Sequence, residues 1–300
     1  MSLSGHREAI AAGDLVDGSF LTRDGLTLST WRIGAPDCSL EPVLLIHGLG
    51  DHSRSMPYLR LGRLLAAQGF EVFAFDRRGS GGSSGLSNHA SSWEDLRDDL
   101  SRFVDMIEDR CGRLPSLVGL SFGGLQALDF ALAAPESVHC CVAMAPALDT
   151  SATSPWLRRI LPILASWFPT LSVDPGLDDR ALTRDPGLCR EYRADPLWRS
   201  RTTPALAALA VEAIERVHRT AGQLRTPLLV LHGTADRVVP IHGTRTAFPH
   251  FGSADKTFIE LKDAWHALPL EPGSDLMAEQ MAAWLKARSV VGAGPGTPRP

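Results

Sequence analysis

The feature that most constrains this chain is a serine that stands between two glycines at the end of a short apolar run. The run covers residues 117–120, Ser121 follows it, and Gly119 and Gly123 lie two positions to either side. A helix is predicted directly afterwards, because leucines recur at helical spacing at positions 125, 128 and 132 until Pro135 stops the pattern. The sequence therefore predicts a strand, a sharp turn and a helix, with the serine at the turn.

A serine in such a turn is held in a strained backbone conformation, and a Cβ at position 119 or 123 is expected to collide with the opposite limb of the turn. The strain lifts the Ser121 hydroxyl clear of the sheet, and the amides and dipole of the following helix favour negative charge beside it. This is the G-x-S-x-G pattern of a nucleophilic serine. A glycine-rich turn without chemistry is the alternative, and the strand–turn–helix context favours the nucleophile.

Apolar runs and helical patterns alternate along most of the chain, which predicts an α/β fold with a mostly parallel, eight-stranded sheet flanked by helices. Two strands joined at Asp24-Gly25 form a hairpin. Six further strands are expected at 43–46, 72–75, 117–120, 139–144, 227–231 and 257–261. Ser91 and Glu94 fit a capping box at the start of one of the helices.

The alternation stops between residues 149 and 224, where apolar residues cover too wide an arc for an ordinary one-sided helix. We expect this segment to be a helical cap or lid inserted into a core formed by residues 1–148 and 225–290. Pro162 predicts a kink or a break in its first helix. Residues 291–300 are rich in glycine and proline and are expected to be a disordered tail.

Composition excludes several classes of function. The 300 residues are 44% hydrophobic and can bury a sizeable core, while a net charge of −4 offers no basic footprint for nucleic acid. No run approaches eighteen apolar residues, so no membrane-spanning helix is expected, and the first fourteen residues lack the apolar core of a secretory signal. Five scattered cysteines indicate reduced thiols, which predicts a cytoplasmic protein.

A nucleophilic serine needs a base, and the base needs an orienting acid. Functional groups in open α/β sheets gather at the carboxyl ends of strands, and Asp236 and His266 follow the last two predicted strands. Asp236 as a plain turn residue, His266 as a surface histidine and Asp263 as a competing acid are the alternatives. The position of all three groups at strand ends favours a catalytic triad of Ser121, Asp236 and His266.

Two backbone N–H groups are expected to stabilise the oxyanion of the reaction. One belongs to Phe122, the residue after the serine, and the other to Leu49, in a glycine-containing loop after the strand at 43–46.

The glycine-rich loop 79–85 does not match a nucleotide-binding motif, because Ser84 breaks the G-x-G-x-x-G spacing and no lysine follows. We therefore expect no cofactor and no metal.

The sequence resembles the α/β-hydrolase superfamily and, within it, the monoacylglycerol lipase and lysophospholipase group that is also filed with serine aminopeptidases. The resemblance covers roughly residues 18–288 and rests on four segments: His47-Gly48-Leu49-Gly50-Asp51-His52-Ser53, Asp76-Arg77-Arg78-Gly79-Ser80-Gly81-Gly82-Ser83, residues 119–124, and Leu231-His232-Gly233-Thr234-Ala235-Asp236. It implies an α/β-hydrolase fold, the same triad and the same two oxyanion amides. The chain departs from the group at Phe122, where methionine is frequent, and at Ser80, where histidine is usual.

The expected function is therefore that of a serine hydrolase that cleaves carboxylic esters, with lipid-like monoesters such as monoacylglycerols or lysophospholipids as substrates. Four apolar residues of the insertion are candidates for the acyl pocket: Trp156, Ile160, Leu164 and Phe168. The same residues could instead dock the cap on the core or contact a lipid surface. The oligomeric state stays open.

Three alternatives share the same scaffold. The first is a carboxylesterase for small esters, and the second is a ligand-binding protein without turnover. The third is an aminopeptidase, for which Glu271 or Asp51 could supply the charge that holds a substrate amine.

Overall fold

The computed structural model describes residues 15–34, 40–149, 155–176 and 178–289. The predictions for the N-terminal fourteen residues and for the tail at 291–300 lie outside these residues. The described chain contains eight strands: β1 (Val16–Leu21), β2 (Thr27–Ile33), β3 (Val43–Ile46), β4 (Val72–Phe75), β5 (Ser116–Leu120), β6 (Cys141–Met144), β7 (Leu228–Gly233) and β8 (Lys256–Leu261).

All eight strands form one sheet in the order β1-β2-β4-β3-β5-β6-β7-β8. β1 and β2 form an antiparallel hairpin and β2 pairs antiparallel with β4, whereas every later pair is parallel. This confirms the predicted fold class of a mostly parallel, eight-stranded sheet flanked by helices. The parallel register brings Ile46, Gly119, Met144 and Leu231 towards the same edge of the sheet. The loops that follow β3, β5, β6 and β7 therefore meet there.

Within the described residues, eight α-helices accompany the sheet: α1 (Met56–Ala67), α2 (Trp93–Cys111), α3 (Phe122–Ala133), α4 (Pro155–Trp167), α5 (Pro186–Arg193), α6 (Pro204–Thr220), α7 (Ile241–Ala247) and α8 (Ser274–Lys286). Buried side chains of α2, α3 and α6 form the core on one face of the sheet. Those of α1 and α8 form it on the other face. None of the described helices combines the length and the apolar character needed to cross a bilayer.

The capping box of α2 lies one residue later than predicted. The Ser92 hydroxyl accepts from the N–H of Asp95 at 3.0 Å, and the Asp95 carboxylate accepts from the N–H of Ser92 at 3.0 Å. The prediction from Ser91 and Glu94 was wrong because the sequence satisfies the pattern in both registers. In the observed one, Trp93 is the first residue of the helix and is buried in the core.

The segment between β6 and β7 carries α4, α5 and α6, and these helices occupy different places. α6 packs against α3, and its Leu206, Ile214 and Val217 belong to the core beside the sheet. Tyr192 of α5 instead clusters with Ala267 and Leu270, which follow β8. Part of the predicted insertion therefore completes the helical layer of the core, and part covers the edge where the strands end.

Candidate active site

Ser121 occupies a strained position between β5 and α3. Its φ of 59° and ψ of −118° are unusual for a residue with a side chain, and such a conformation costs about 1–3 kcal/mol. Two hydrogen bonds to the end of β6 and to the loop after it fix the turn: the Ser121 N–H donates to the carbonyl of Met144 at 2.9 Å, and the Ser121 carbonyl accepts from the N–H of Ala147 at 3.1 Å. The sheet therefore keeps the serine in the geometry that the sequence predicts for a nucleophile.

The two glycines around the serine are required by space. A Cβ at Gly119 would lie 2.2 Å from the carbonyl oxygen of Gly123, across the turn, which confirms the predicted collision. A Cβ at Gly123 would lie 2.1 Å from the carbonyl oxygen of Ile46, so this obstacle is the neighbouring strand β3 rather than the opposite limb of the turn. The turn around Ser121, called the elbow below, is thus packed directly on β3, the strand that precedes the predicted oxyanion loop.

Asp236 and His266 form a buried pair, 30 residues apart in sequence. His266 Nδ1 lies 2.7 Å from Asp236 Oδ2, and the two residues are 4% and 8% exposed. An ionised carboxylate only accepts hydrogen bonds, so Nδ1 carries the proton and Nε2 is the basic nitrogen. Because both residues are buried, the alternatives of a plain turn aspartate and a surface histidine do not fit.

The environment of Asp236 keeps it ionised. Its Oδ1 accepts from the N–H groups of Val238 and Val239, each at 2.9 Å, and Oδ2 also lies 3.3 Å from Nε2 of His232. Burial alone would raise the pKa of Asp236, but the charge of His266 and the hydrogen bonds hold that pKa well below its ordinary value. The sequence did not predict His232 as a partner of Asp236, although the two residues are only four positions apart.

Ser121 and His266 line one cavity of about 60 Å³. Leu49, from the loop after β3, lines it as well, and the insertion contributes Leu182, Tyr192 and Trp198. The structure thus brings the serine, the histidine and one predicted oxyanion residue together beneath the insertion. Tyr192 was not predicted, because it reaches this place from a helix 141 residues beyond its hydrogen-bond partner Asp51.

Both predicted oxyanion amides are available for a ligand. Phe122 is the first residue of α3, so its N–H has no carbonyl acceptor within the helix. Within the part of the chain that the structure describes, neither the Phe122 N–H nor the Leu49 N–H donates to a protein acceptor. One amide comes from the loop after β3 and the other from the elbow after β5, as the two donors of an oxyanion hole require.

The polar side of the cavity is centred on Asp51. Its carboxylate accepts from the Tyr192 hydroxyl and, at 2.9 Å, from the N–H of His52. Burial raises the pKa of Asp51 above its usual range, even though these hydrogen bonds act in the opposite direction. Tyr58 also lines the cavity, and its hydroxyl accepts from the N–H of Gly48 at 2.8 Å. A ligand in this cavity therefore meets hydroxyl groups and a carboxylate on one side.

The four residues proposed for an acyl pocket lie elsewhere. Trp156, Ile160 and Leu164 belong to α4 and Phe168 follows it directly, but none of them lines the cavity beside Ser121. Trp156 and Phe168 are 69% and 56% exposed. Together with three further exposed residues they form an apolar face, called the α4 face below: Trp156, Ile163, Trp167, Phe168 and Leu171.

Two other carboxylates considered from the sequence take no place at the cavity. Asp263 lies in an exposed turn with a φ of 56°, and its N–H donates to the Thr234 hydroxyl at 2.8 Å. Glu271 pairs with the guanidinium of Arg184 at 2.7 Å and also accepts from the backbone N–H groups of Arg184 and Trp265. Both are structural residues of the loops that surround the edge of the sheet.

The sheet has eight strands, is mostly parallel and carries a strained serine after β5, an aspartate after β7 and a histidine after β8. These features define an α/β-hydrolase. A family model described as serine aminopeptidase, S33 (Hydrolase_4) matches residues 39–273. The chain belongs to this family.

Comparison with known proteins places the monoacylglycerol lipases among its relatives. The monoacylglycerol lipase of Mycolicibacterium smegmatis is 28% identical over 246 residues, which are 81% of this chain and 87% of that protein. The monoglyceride lipase of Homo sapiens is 28% identical over 85% of each chain. The crystal structure of Paleococcus ferrophilus monoacylglycerol lipase is 32% identical with a TM-score of 0.76, and covers 92% of this chain and 100% of that one.

Proposed function

We propose that this carboxylic ester hydrolase cleaves lipid-like monoesters, of the monoacylglycerol or lysophospholipid type, through an acyl-enzyme on Ser121. The observation that carries the proposal is the buried Asp236–His266 pair, whose histidine opens into the same cavity as the strained serine. Similarity to the monoacylglycerol lipases supports the choice of substrate class.

The reaction follows from the positions of these groups. The Ser121 hydroxyl oxygen attacks the ester carbonyl while Nε2 of His266 takes its proton, and Asp236 stabilises the imidazolium that forms. The N–H groups of Leu49 and Phe122 donate to the oxyanion of the tetrahedral intermediate. Collapse breaks the ester C–O bond, and His266 returns the proton to the leaving alcohol. Water then repeats both steps on the acyl-enzyme and releases the carboxylic acid.

The lining of the cavity supports a substrate with two unlike ends. Leu49, Leu182 and Trp198 offer apolar surface to an acyl chain, whereas Asp51 and Tyr192 offer polar groups to the hydroxyls of an alcohol such as glycerol. A specific polar contact of this kind discriminates strongly between alcohols with and without the matching hydroxyl. The cavity therefore suits a monoester whose alcohol part retains free hydroxyl groups.

The insertion at residues 149–224 is proposed to act as a lid. Sites for drug-sized ligands typically measure about 300–1,000 Å³, so the cavity of about 60 Å³ cannot enclose a fatty acyl chain as it stands. Leu182, Tyr192 and Trp198 cover it from the insertion. These side chains must move outwards for a long-chain substrate to reach Ser121.

The alternative functions receive less support. An aminopeptidase needs an ionised carboxylate for the substrate amine, but Glu271 is paired with Arg184, and burial raises the pKa of Asp51, which disfavours its charged form. A ligand-binding protein has no use for an Asp236–His266 pair that makes Nε2 of the histidine a base. The choice between lipid monoesters and small esters depends on the length of acyl chain that the enzyme prefers.

A cytoplasmic location with contact to lipid surfaces fits this function. Cys140 and Cys141 are buried thiols outside any disulfide, and burial raises the pKa of Cys140 to about 12, so it stays protonated and inert. The exposed α4 face offers Trp167 and Phe168 to an acyl-chain aggregate. Cell fractionation with an antibody to the chain tests the location.

The substrate proposal is tested by kcat/KM for glycerol monoesters from two to eighteen acyl carbons. Each buried methylene adds at most about 0.8 kcal/mol, which is about fourfold in affinity. We expect a rise to a maximum at medium or long chains that is absent in Ser121→Ala. A maximum at two to four carbons would assign the enzyme to small esters, and no turnover at any length would favour the ligand-binding alternative.

A further inference from the structure

Arg77 is a buried arginine next to the loop that carries the predicted oxyanion amide of Leu49. It is only 2% exposed, and no carboxylate of the described residues lies within 4.0 Å of its guanidinium. Its hydrogen bonds go instead to the carbonyls of His47 and Gly48 and to the side-chain oxygen of Gln126. A buried guanidinium without an ion-pair partner is costly, which indicates a role beyond packing.

The contact to Gly48 determines the direction of the Leu49 N–H. Arg77 Nη2 donates to the carbonyl oxygen of Gly48 at 2.9 Å. That carbonyl and the N–H of Leu49 belong to the same planar trans peptide, in which they point in opposite directions. When Arg77 holds the carbonyl on one side, the Leu49 N–H is therefore turned to the other side, away from the guanidinium. Leu49 lines the cavity that contains Ser121.

Further hydrogen bonds fix the peptide groups next to the Gly48–Leu49 peptide. The preceding peptide is fixed at both ends, because Arg77 Nη1 donates to the His47 carbonyl at 3.0 Å and the Gly48 N–H donates to the Tyr58 hydroxyl at 2.8 Å. The N–H of Arg77 donates to His47 Nε2 at 2.9 Å, so His47 carries its proton on Nδ1 and donates it to the Gly48 carbonyl at 2.9 Å. Of the two peptides, only the Leu49 N–H is left for a ligand.

Arg77 also contacts the residue that supplies the second amide. Its guanidinium carbon lies 4.7 Å above the ring centre of Phe122, in a cation–π contact. The departure from methionine at this position thus gives Arg77 an aromatic partner. The guanidinium thus contacts the carbonyl of the peptide that supplies the first N–H and the side chain of the residue that supplies the second. Burial lowers the pKa of Arg77 to about 10, so the guanidinium remains charged at neutral pH.

We propose that Arg77 is a positioning residue of the oxyanion hole: it fixes the plane of the Gly48–Leu49 peptide so that the Leu49 N–H faces the cavity, and it places an unpaired positive charge beside both donors. This inference rests on the proposed function. Hydrogen bonds to the Gly48 carbonyl also polarise the peptide, which makes the Leu49 N–H a stronger donor. The effect is largest when the oxyanion forms, so it acts on kcat rather than on ground-state binding.

The test compares Arg77→Lys with the matched variant Arg78→Lys. A lysine at 77 keeps the charge but lacks the rigid fork of the guanidinium, whose two nitrogens each hold one of the two carbonyls. Arg78 is also buried in the same loop, at 7% exposed, but it forms ion pairs with Asp99 and Asp24. We expect Arg77→Lys to lower kcat about 10–100-fold with KM within about twofold. Arg78→Lys should lower the melting temperature and leave kcat within about twofold.

A second variant, Gln126→Glu, tests the proposed role of Arg77 if Arg77→Lys does not fold. Gln126→Glu keeps the shape of the side chain that accepts from Arg77 at 3.1 Å, but it pairs the guanidinium with a carboxylate. It should lower kcat about fivefold or more with KM unchanged. A folded Arg77→Lys with unchanged kcat, or a loss that appears only in KM, would overturn the inference. Turnover retained by Ser121→Ala would instead refute the proposed function on which it rests.

Discussion

His266 and Asp236 are joined by a 2.7 Å contact between Nδ1 and Oδ2, and the geometry leaves this carboxylate little freedom to rotate. The other oxygen, Oδ1, is already held by the N–H groups of Val238 and Val239. The aspartate therefore determines both the tautomer and the orientation of the imidazole.

Asp236→Asn should reduce kcat by about 10⁴-fold with little change in KM, because an amide can donate to Nδ1 and so favour the wrong tautomer of His266. Steady-state kinetics on one monoester measures both constants. The matched control is Asp263→Asn, a change in an exposed turn three residues before the histidine, where asparagine tolerates the positive φ. A similar loss in both variants, or full activity in Asp236→Asn, would contradict the assigned acid.

The same carboxylate makes stability depend on pH in a defined direction. The pKa of Asp236 is lower in the folded protein than in the unfolded chain, so its contribution is present above the unfolded value of about 4 and is lost as the pH falls through the folded value. Urea unfolding of the wild type between about pH 5 and pH 3 should show this loss. Asp236→Asn should lose less stability over that range, and parallel curves would contradict the prediction.

The triad residues could be predicted because each one lies in the turn or loop that follows a predicted strand. In a parallel sheet the carboxyl ends of β5, β7 and β8 share one edge, which brings Ser121, Asp236 and His266 together. Arg77 also follows a strand, β4, but its partners Gly48 and Gln126 lie 29 and 49 residues away in the sequence, and Tyr192 belongs to α5 and follows no strand. Their places depend on contacts between segments that are distant in sequence, and a buried arginine or tyrosine has no local pattern that marks it.

Gly123→Ala tests the steric basis of the elbow. The added Cβ would lie 2.1 Å from the carbonyl oxygen of Ile46 in a central strand, which cannot move without disturbing the sheet. We expect the free energy of unfolding to fall by about 3 kcal/mol or more, measured by urea denaturation. Gly222→Ala is the control, because its nearest neighbour is 3.9 Å away and stability should change by at most about 1 kcal/mol. A Gly123→Ala variant as stable as the wild type would refute the steric argument.

The α4 face gives a prediction about lipid surfaces. Trp156 and Trp167 are 69% and 76% exposed, and tryptophan favours the boundary between water and acyl chains. Replacing both with serine should leave turnover of a dispersed short-chain ester within about twofold and lower turnover of a long-chain monoester in vesicles about tenfold, a loss of about 1.4 kcal/mol. Leu276→Ser, at an exposed leucine of α8, is the control. Equal activity of all variants on vesicles would argue against lipid contact.

The α4 face also shows what a sequence pattern cannot predict. A wide apolar arc at 156–171 predicts burial or a ligand, but it does not distinguish a pocket from an exposed surface. The structure leaves the α4 face on the outside of the insertion and buries Leu161, while Leu182 and Trp198, which belong to no strong periodic pattern, line the cavity. Local amphipathicity specifies that a surface is apolar, and the tertiary fold alone specifies what it faces.

The central claim is that Ser121 forms the acyl-enzyme. Its most direct test is intact-protein mass spectrometry after reaction with a fluorophosphonate, followed by peptide mapping, with His266→Ala and Ser121→Ala alongside. We expect a single adduct on Ser121 in the wild type, a much slower adduct in His266→Ala because the base is missing, and none in Ser121→Ala. An adduct on another residue, or equal labelling of the wild type and Ser121→Ala, would contradict the account.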